Sequence, residues 1–168
     1  MKQTRFIITI MIAVMALLTL INACSLREPI ALPSDIADRL ITDIKFPRGL
    51  IISNENTKND SVIASNILGA EFNPDIYESY AIYPSAENTS ASEFGILKVK
   101  DKKYLESAKE LAQGRIDAMR KAFDGYLDGQ YEIAKGGEVR TEGRYVYYSM
   151  SEDNGKVFKI IKEMLDDK

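Results

Sequence analysis

The only cysteine of this 168-residue chain, Cys24, stands at the end of an apolar N-terminal segment, so no disulfide can form within the chain. The first five residues carry two positive charges, Lys2 and Arg5. No charged residue follows between Phe6 and Ala23, and most of these side chains are aliphatic. A basic start, an apolar run and a small residue at the cut are typical of an export signal. We therefore expect a domain outside the cytoplasm that is stabilised by packing alone.

The residues before Cys24, Leu20-Ile21-Asn22-Ala23, resemble the lipobox of bacterial lipoproteins. This resemblance implies cleavage before Cys24 and a diacylglyceryl group on its sulfur. Asn22 departs from the pattern, which usually has a small or aliphatic residue there. Two alternatives stay open: an ordinary signal peptidase cuts at Ala23 and leaves a free thiol, or the uncut segment serves as a membrane anchor. All three interpretations place residues 25–168 outside the cytoplasm.

Removal of residues 1–23 leaves 145 of the 168 residues, which is enough for one domain with its own core. The removed segment holds two of the 22 basic residues and none of the 25 acidic ones, so the formal charge changes from −3 to −5. A negative excess without a basic cluster argues against nucleic acid as a partner. The predicted organisation is a signal peptide over 1–23, a lipidated tether over 24–33 and a single domain over 34–168.

The chain contains no histidine, which is the commonest general base and metal ligand. Ser-His-Asp sites, Cys-His sites and His-based zinc sites are therefore excluded. Asp35 with Asp38, and Asp124 with Asp128, form carboxylate pairs whose positions favour helix-end charges over catalysis. Asp153-Asn154-Gly155 lacks the ligand spacing of a calcium loop and favours helix capping. We predict no catalytic residue, no metal site and no cofactor.

Apolar residues at helical spacing predict helices over 34–45, 60–68, 102–126 and 153–165. Ser34 is the expected N-cap of the first helix. Gly114 interrupts the third helix, which suggests a close approach of that helix to a sheet. Residues 128–135 fit either a short helix or a loop.

Strand-like patterns cover residues 77–83, 93–100, 137–141 and 144–150. The first two are expected to pair across an eight-residue loop, and the last two to form a hairpin through Glu142-Gly143. Paired strands separated by helices predict an α+β fold, with an antiparallel sheet of about four strands and helices packed on one face.

Residues 34–166 resemble a family of small lipoproteins from low-GC Gram-positive bacteria, built around a domain of unknown function. The resemblance depends on residue patterns: the strand 93–98, Arg115 and Phe123 in the long helix, Tyr126 after it, and the strand start at 143–146. It implies the lipoprotein location and the α+β layout, and it brings no activity and no functional residues.

Arg115 interrupts the apolar face of the long helix, next to Ile116. A buried arginine needs a carboxylate partner, and Glu93 at the start of a predicted strand is a candidate. A structural ion pair between helix and sheet is the favoured interpretation. The functional alternative is a pair that grips an anionic ligand.

Tyrosines recur on two predicted strands, and this suggests a second candidate binding surface. Exposed tyrosines on a sheet can stack on sugars or contact a protein. The alternative is that the rings are divided between the core and the sheet surface. The candidates are Tyr145 and Tyr147, with Tyr148, Tyr77, Tyr80 and Tyr83.

These observations favour a membrane-anchored extracytoplasmic module that binds a protein or a glycan of the cell envelope and has no enzymatic activity. Two alternatives belong to other classes: a carboxylate-based hydrolase of envelope glycan, and a secreted domain with a free thiol. A solute-capturing subunit of a transporter ranks last, because the chain is small for a two-lobed binding protein.

Overall fold

The computed structural model of the chain describes residues 30–55 and 60–166, which form five α-helices and a five-stranded sheet. The predicted signal peptide, Cys24 and the tether up to residue 29 lie outside the described residues. The helices are α1 (Pro33–Asp43), α2 (Asp60–Leu68), α3 (Leu105–Phe123), α4 (Asp128–Lys135) and α5 (Asn154–Asp166). The strands are β1 (Ile52–Ser53), β2 (Tyr77–Tyr83), β3 (Glu93–Val99), β4 (Glu138–Glu142) and β5 (Tyr145–Met150).

The sheet has the order β1-β2-β3-β5-β4, and all neighbouring strands are antiparallel. This confirms the predicted pairing of β2 with β3 and the hairpin of β4 with β5. The expected number of about four strands is corrected to five. The additional strand, β1, pairs only Ile52 with Ile82 and Ser53 with Ala81. Two residues are too few to leave an alternating pattern in a sequence.

Helices cover both faces of the sheet, which corrects the expectation that they pack on one face. α2, α3 and α4 pack on the face that carries Leu97 and Tyr148. α1 and α5 pack on the opposite face, against Ile96 and Tyr147. Every residue of β3 and β5 is buried. A strand covered on both faces is apolar or aromatic at most positions instead of at every second one. The continuous run Tyr145-Val146-Tyr147-Tyr148 is such a pattern, and it was an indication in the sequence that both faces are covered.

The start of α1 differs from the predicted capping. The helix begins at Pro33, and the N-cap residue Leu32 makes no side-chain capping bond. Proline suits this first position because its missing N–H would have no helical partner there. Ser34 therefore lies inside the helix, where its hydroxyl donates to the carboxylate of Glu55.

The structure also tests three predictions about helices. Residues 128–135 form a helix, α4. Asp153 caps α5 as expected, since its Oδ1 accepts the N–H of Lys156 at 2.9 Å. The close approach predicted at Gly114 is wrong, because a Cβ there would meet nothing within 4 Å.

Within residues 30–55 and 60–166, every helix is too short or too polar to span a membrane.

Candidate functional site

The predicted pair of Glu93 and Arg115 is present as a two-point ion pair between the sheet and α3. The Glu93 side chain is 1% exposed at the start of β3, and the Arg115 side chain is 19% exposed. Arg115 Nε donates to Glu93 Oε1 at 2.9 Å, and Nη2 donates to Oε2 at 2.6 Å. One planar guanidinium thus engages both carboxylate oxygens, which gives the contact direction as well as strength. The contact is confirmed, while a binding role for either residue stays a prediction.

Tyr148 completes this cluster from the core side. Its hydroxyl donates to Glu93 Oε1 at 2.5 Å, and the residue is fully buried. Burial raises the pKa of Tyr148 well above its usual range, and the negative charge of Glu93 acts in the same direction. The phenol therefore keeps its proton and acts as a donor to the carboxylate.

Gly95 makes room for the Tyr148 ring. Gly95 and Tyr148 are paired across β3 and β5. A Cβ on Gly95 would lie 2.3 Å from the nearest ring carbon of Tyr148, far inside van der Waals contact. A glycine inside a strand often marks such a close approach, so Gly95 is the sequence signal that could have placed a large ring against this strand.

Arg115 remains charged although it is largely buried. Burial alone would lower its pKa, because a low-dielectric environment disfavours the guanidinium cation. The hydrogen bonds from Arg115 to Glu93 and the charge of Glu93 oppose this effect, and the net result is a raised pKa. The cluster therefore joins a permanent cation to one carboxylate, and it carries no excess of positive charge.

The loop of residues 85–92 joins β2 to β3 beside this cluster. It is held at both ends by neighbouring segments: the Ala91 N–H donates to Gln130 Oε1 at 2.8 Å, and the Ala86 N–H donates to the Arg48 carbonyl at 2.8 Å. A cleft opens on each side of the loop, and both clefts are lined by Glu87 and Ser90. The loop therefore forms a shared wall at the Glu93 end of the sheet.

The smaller cleft has a volume of about 270 Å³ and includes Arg115 in its lining. The other lining residues come from the loop and from the end of α3 and the turn after it: Ser85, Glu87, Asn88, Ser90, Met119, Ala122, Phe123 and Tyr126.

The larger cleft, about 680 Å³, lies between the same loop, the segment after α1, and the start of α5. Hydroxyl groups and charges of both signs line it, including Ser92, Lys45, Glu152 and Lys156. A further cavity of about 780 Å³ is lined by Leu68, Tyr104 and Gly114 among others, and by neither Glu93 nor Arg115.

A second buried charge, which the sequence did not predict, lies at the other end of β3. Lys98 Nζ lies 2.7 Å from Glu78 Oε1, with side-chain exposures of 7% and 43%. Arg144 also donates to the Glu78 carboxylate and, at 3.1 Å, to the Val99 carbonyl. Lys98 Nζ further lies 5.3 Å from the ring centroid of Tyr145. A lysine in a strand usually indicates a solvent-facing position, whereas the structure shows that Lys98 is buried.

The six strand tyrosines do not form an exposed face. Tyr145 and Tyr147 lie in the core beneath α1 and α5, and the other four are buried as well: Tyr77, Tyr80, Tyr83 and Tyr148. Neither alternative from the sequence holds as stated: because helices cover both faces, no ring lies exposed on the sheet, and the six rings are divided between the cores on its two sides. A binding role for Tyr145 and Tyr147 stays a prediction. Tyr126, which follows α3, lines the smaller cleft and is 64% exposed.

Residues 52–151 match the family model described as a domain of unknown function, DUF4358. This match covers more than half of the chain. The chain belongs to the DUF4358 family. No curated protein and no solved structure matches it.

The DUF4358 match contains the whole sheet, α2, α3 and α4, and it includes the Glu93–Arg115 cluster and the 85–92 loop. α1 and α5, which cover the second face, lie outside the matched residues. The domain of unknown function implied by the resemblance is thus confirmed. Its assignment to Gram-positive lipoproteins stays a prediction.

Among residues 30–55 and 60–166, no group of three His, Cys, Asp or Glu side chains could hold a metal ion.

Proposed function

We propose that this DUF4358 protein is a lipid-anchored, extracytoplasmic module that binds a component of the cell envelope without catalysing a reaction. The sequence before Cys24 supports the anchor, because a charge-free segment from Phe6 to Ala23 follows the basic residues Lys2 and Arg5. The binding site in this proposal is the end of the sheet where the two clefts flank the 85–92 loop.

The path of α1 supports an orientation in which the clefts face away from the membrane. The Tyr145 hydroxyl donates to the Ala31 carbonyl at 2.6 Å, so the chain enters the domain at the Lys98 end of the sheet. At the far end of α1, the Asp43 carbonyl accepts a hydrogen bond from Lys156, which lines the larger cleft. The six-residue span from Glu93 to Lys98 separates the two ends by about 17 Å.

A lipid on Cys24 would hold the Lys98 end close to the bilayer. The seven residues from Cys24 to Ile30 span at most about 25 Å when fully extended. Both clefts would then open toward the envelope partner and away from the lipid.

The hydrogen bonds that Glu93 accepts are the main observation that favours binding over hydrolysis. Glycoside hydrolysis usually needs two carboxyl groups across a cleft, one of them able to give up a proton. Both oxygens of Glu93 instead accept hydrogen bonds from Arg115, and Oε1 also accepts from Tyr148. A carboxylate held in this way positions the arginine at the cleft and is poorly placed to protonate a leaving group.

The anchor is tested by the intact mass and the membrane partitioning of the native protein. We expect a chain that begins at Cys24 with added acyl mass, and we expect Cys24→Ser to release the protein from the membrane. Ser25→Ala is the matched control, because it changes the neighbouring residue and leaves the thiol. An unmodified chain that begins at Cys24 and is free in the medium would instead establish a secreted domain with a free thiol.

The absence of hydrolytic activity is tested separately by incubating the purified protein with cell-wall glycan. We expect no released fragments. Release that disappears in Glu87→Gln, which changes a carboxylate lining both clefts, would establish the hydrolase alternative and contradict the proposal.

A further inference from the structure

We propose that the smaller cleft binds one uncharged sugar ring, stacked on Tyr126. This inference deepens the proposed binding role and rests on it, since it names the chemical class of the ligand. It follows from three features of the cleft: its two unlike walls, its charge and its size.

The two walls of the smaller cleft differ in polarity. One wall, from the end of α3 and the following turn, is apolar and aromatic; the other, from the 85–92 loop, carries hydroxyl, amide and carboxylate groups. A pyranose ring has the same two-sided character, with C–H groups on its faces and hydroxyl groups around its edge. Its faces suit an aromatic ring, and its hydroxyls suit Asn, Ser and Glu side chains, which donate or accept hydrogen bonds.

Tyr126 is placed to act as the stacking surface. Gly125 adopts φ of +68° directly after α3, a conformation that glycine reaches without strain and that turns the chain at the helix end. The Tyr126 ring is left mostly exposed at the cleft, and its centroid lies 6.4 Å from that of the buried Phe123 ring. The aromatic surface is thus supported from the core and open to a ligand.

The charge of the cleft favours an uncharged ligand. Arg115 is paired with Glu93 through both carboxylate oxygens, so its charge is balanced before any ligand arrives. Glu87 adds a negative charge to the lining. An anion would meet no net attraction here. Arg115 has three N–H groups beyond the two that bind Glu93, and a neutral hydroxyl can accept from a guanidinium without any net charge.

The size of the cleft limits the ligand to one ring. Its volume of about 270 Å³ is just below the range in which pockets enclose drug-sized ligands, roughly 300–1,000 Å³. A single sugar on such an open surface makes few contacts, and we expect a dissociation constant on the order of millimolar.

The test is an NMR titration of the purified full-length chain with glucose, N-acetylglucosamine and glucuronic acid. We expect at least one neutral sugar to shift the amide signals of Tyr126 and of the 85–92 loop in a saturable way. Glucuronic acid should bind more weakly than glucose, because its carboxylate meets Glu87. The sugar proposal is overturned if no neutral sugar binds, or if glucuronic acid binds best, which would restore the anion-gripping interpretation of Arg115.

Variants of Tyr126 separate stacking from unspecific contact. Tyr126→Ala should weaken binding by about three- to tenfold, the range expected for the loss of one aromatic contact. Tyr126→Phe keeps the ring and should bind as the wild type does. Leu50→Ala changes an exposed side chain outside the lining of the cleft and serves as the control. Equal binding by Tyr126→Ala and the wild type would contradict the inference.

This titration is independent of the anchoring experiment. If sugars do not bind but Cys24→Ser still leaves the membrane, only the ligand class is wrong. If a sugar binds but the native protein carries no lipid, only the anchor is wrong.

Discussion

The two ends of β3 each carry a buried charged residue, and they differ in how completely the partner is withdrawn from water. At one end, Glu93 and Arg115 have side-chain exposures of 1% and 19%. At the other end, Lys98 is 7% exposed, but its partner Glu78 is 43% exposed. The two residues also point to opposite faces of the sheet, Glu93 toward α3 and Lys98 toward Tyr145.

The difference shows that burial of one partner does not determine the strength of a pair. When both partners are withdrawn from water, removing one leaves an uncompensated charge in the core. When the second partner remains solvated, water and neighbouring groups compensate for much of the loss. The closed end at Glu93, where both partners are buried, should therefore contribute more to stability than the open end at Lys98, where Glu78 remains partly solvated.

The largest expected effect comes from removing the cation at each end. Arg115→Met should lower the free energy of unfolding by about 3–5 kcal/mol, because Glu93 is left buried without its partner. Lys98→Met should cost at most about 1 kcal/mol, because Glu78 stays partly solvated and keeps Arg144. Urea denaturation of both variants measures the two losses.

The control for this pair is Lys109→Met, which removes an exposed ion pair with Glu106 on the same helix as Arg115. It should change stability by less than about 0.5 kcal/mol. Equal losses in Arg115→Met and Lys98→Met would show that the two ends do not differ in the way that their exposure implies.

An intermediate effect is expected from Gly95, which allows Tyr148 to reach Glu93 at the closed end. Gly95→Ala should destabilise the protein by about 1–3 kcal/mol, because its Cβ would overlap the Tyr148 ring and force it to move. Gly114→Ala is the matched control in open space within α3, and it should stabilise the protein by about 0.5–1 kcal/mol. Thermal unfolding of both variants checks the opposite signs; a neutral Gly95→Ala would count against the packing account.

The smallest effect is the pH dependence of the open end. The hydrogen bond from Lys98 is the main cause of the lowered pKa of Glu78; burial opposes it, and Arg144 adds to it. A carboxyl group whose pKa is lower in the folded state stabilises that state above its ordinary pKa of 4.5, and this contribution is lost as the pH falls through the folded-state value.

Glu78→Gln should therefore be less stable than the wild type at pH 7, by less than about 1 kcal/mol because the group is partly exposed. The gap should close as the solution is acidified below the ordinary pKa of the carboxyl group. Urea denaturation of both proteins across this range measures the gap, and a gap that stays constant with pH would contradict the assigned role of Glu78.

Much of the secondary structure could be predicted because the spacing of apolar residues reflects the local backbone conformation, with a period of about 3.6 residues in a helix and about 2 in a strand. The strand over 77–83 and the helix over 60–68 were predicted with the bounds that the structure has. The contact of Glu93 with Arg115 was also predictable, since an arginine on an apolar helix face requires a carboxylate nearby. The sequence did not predict β1, because a strand of two residues is too short to show an alternation of apolar and polar residues.

Other features depend on contacts between segments far apart in the chain. The burial of Tyr145 and Tyr147 depends on α1 and α5, which come from opposite ends of the described chain. Tyr126 fits the end of a helix stripe in the sequence, yet it lies exposed at a cleft wall. The spacing of residue types within one segment cannot predict contacts of that segment with distant parts of the chain.

Residue types and local spacing were enough to predict the α+β class and the Glu93–Arg115 contact, to exclude a disulfide within the chain and histidine chemistry, and to suggest an export signal. The three-dimensional packing was needed to show that helices cover both faces of the sheet, that the strand tyrosines are buried, and that two clefts flank the 85–92 loop. Burial depends on which residues pack against a side chain, and here those residues come from distant parts of the chain.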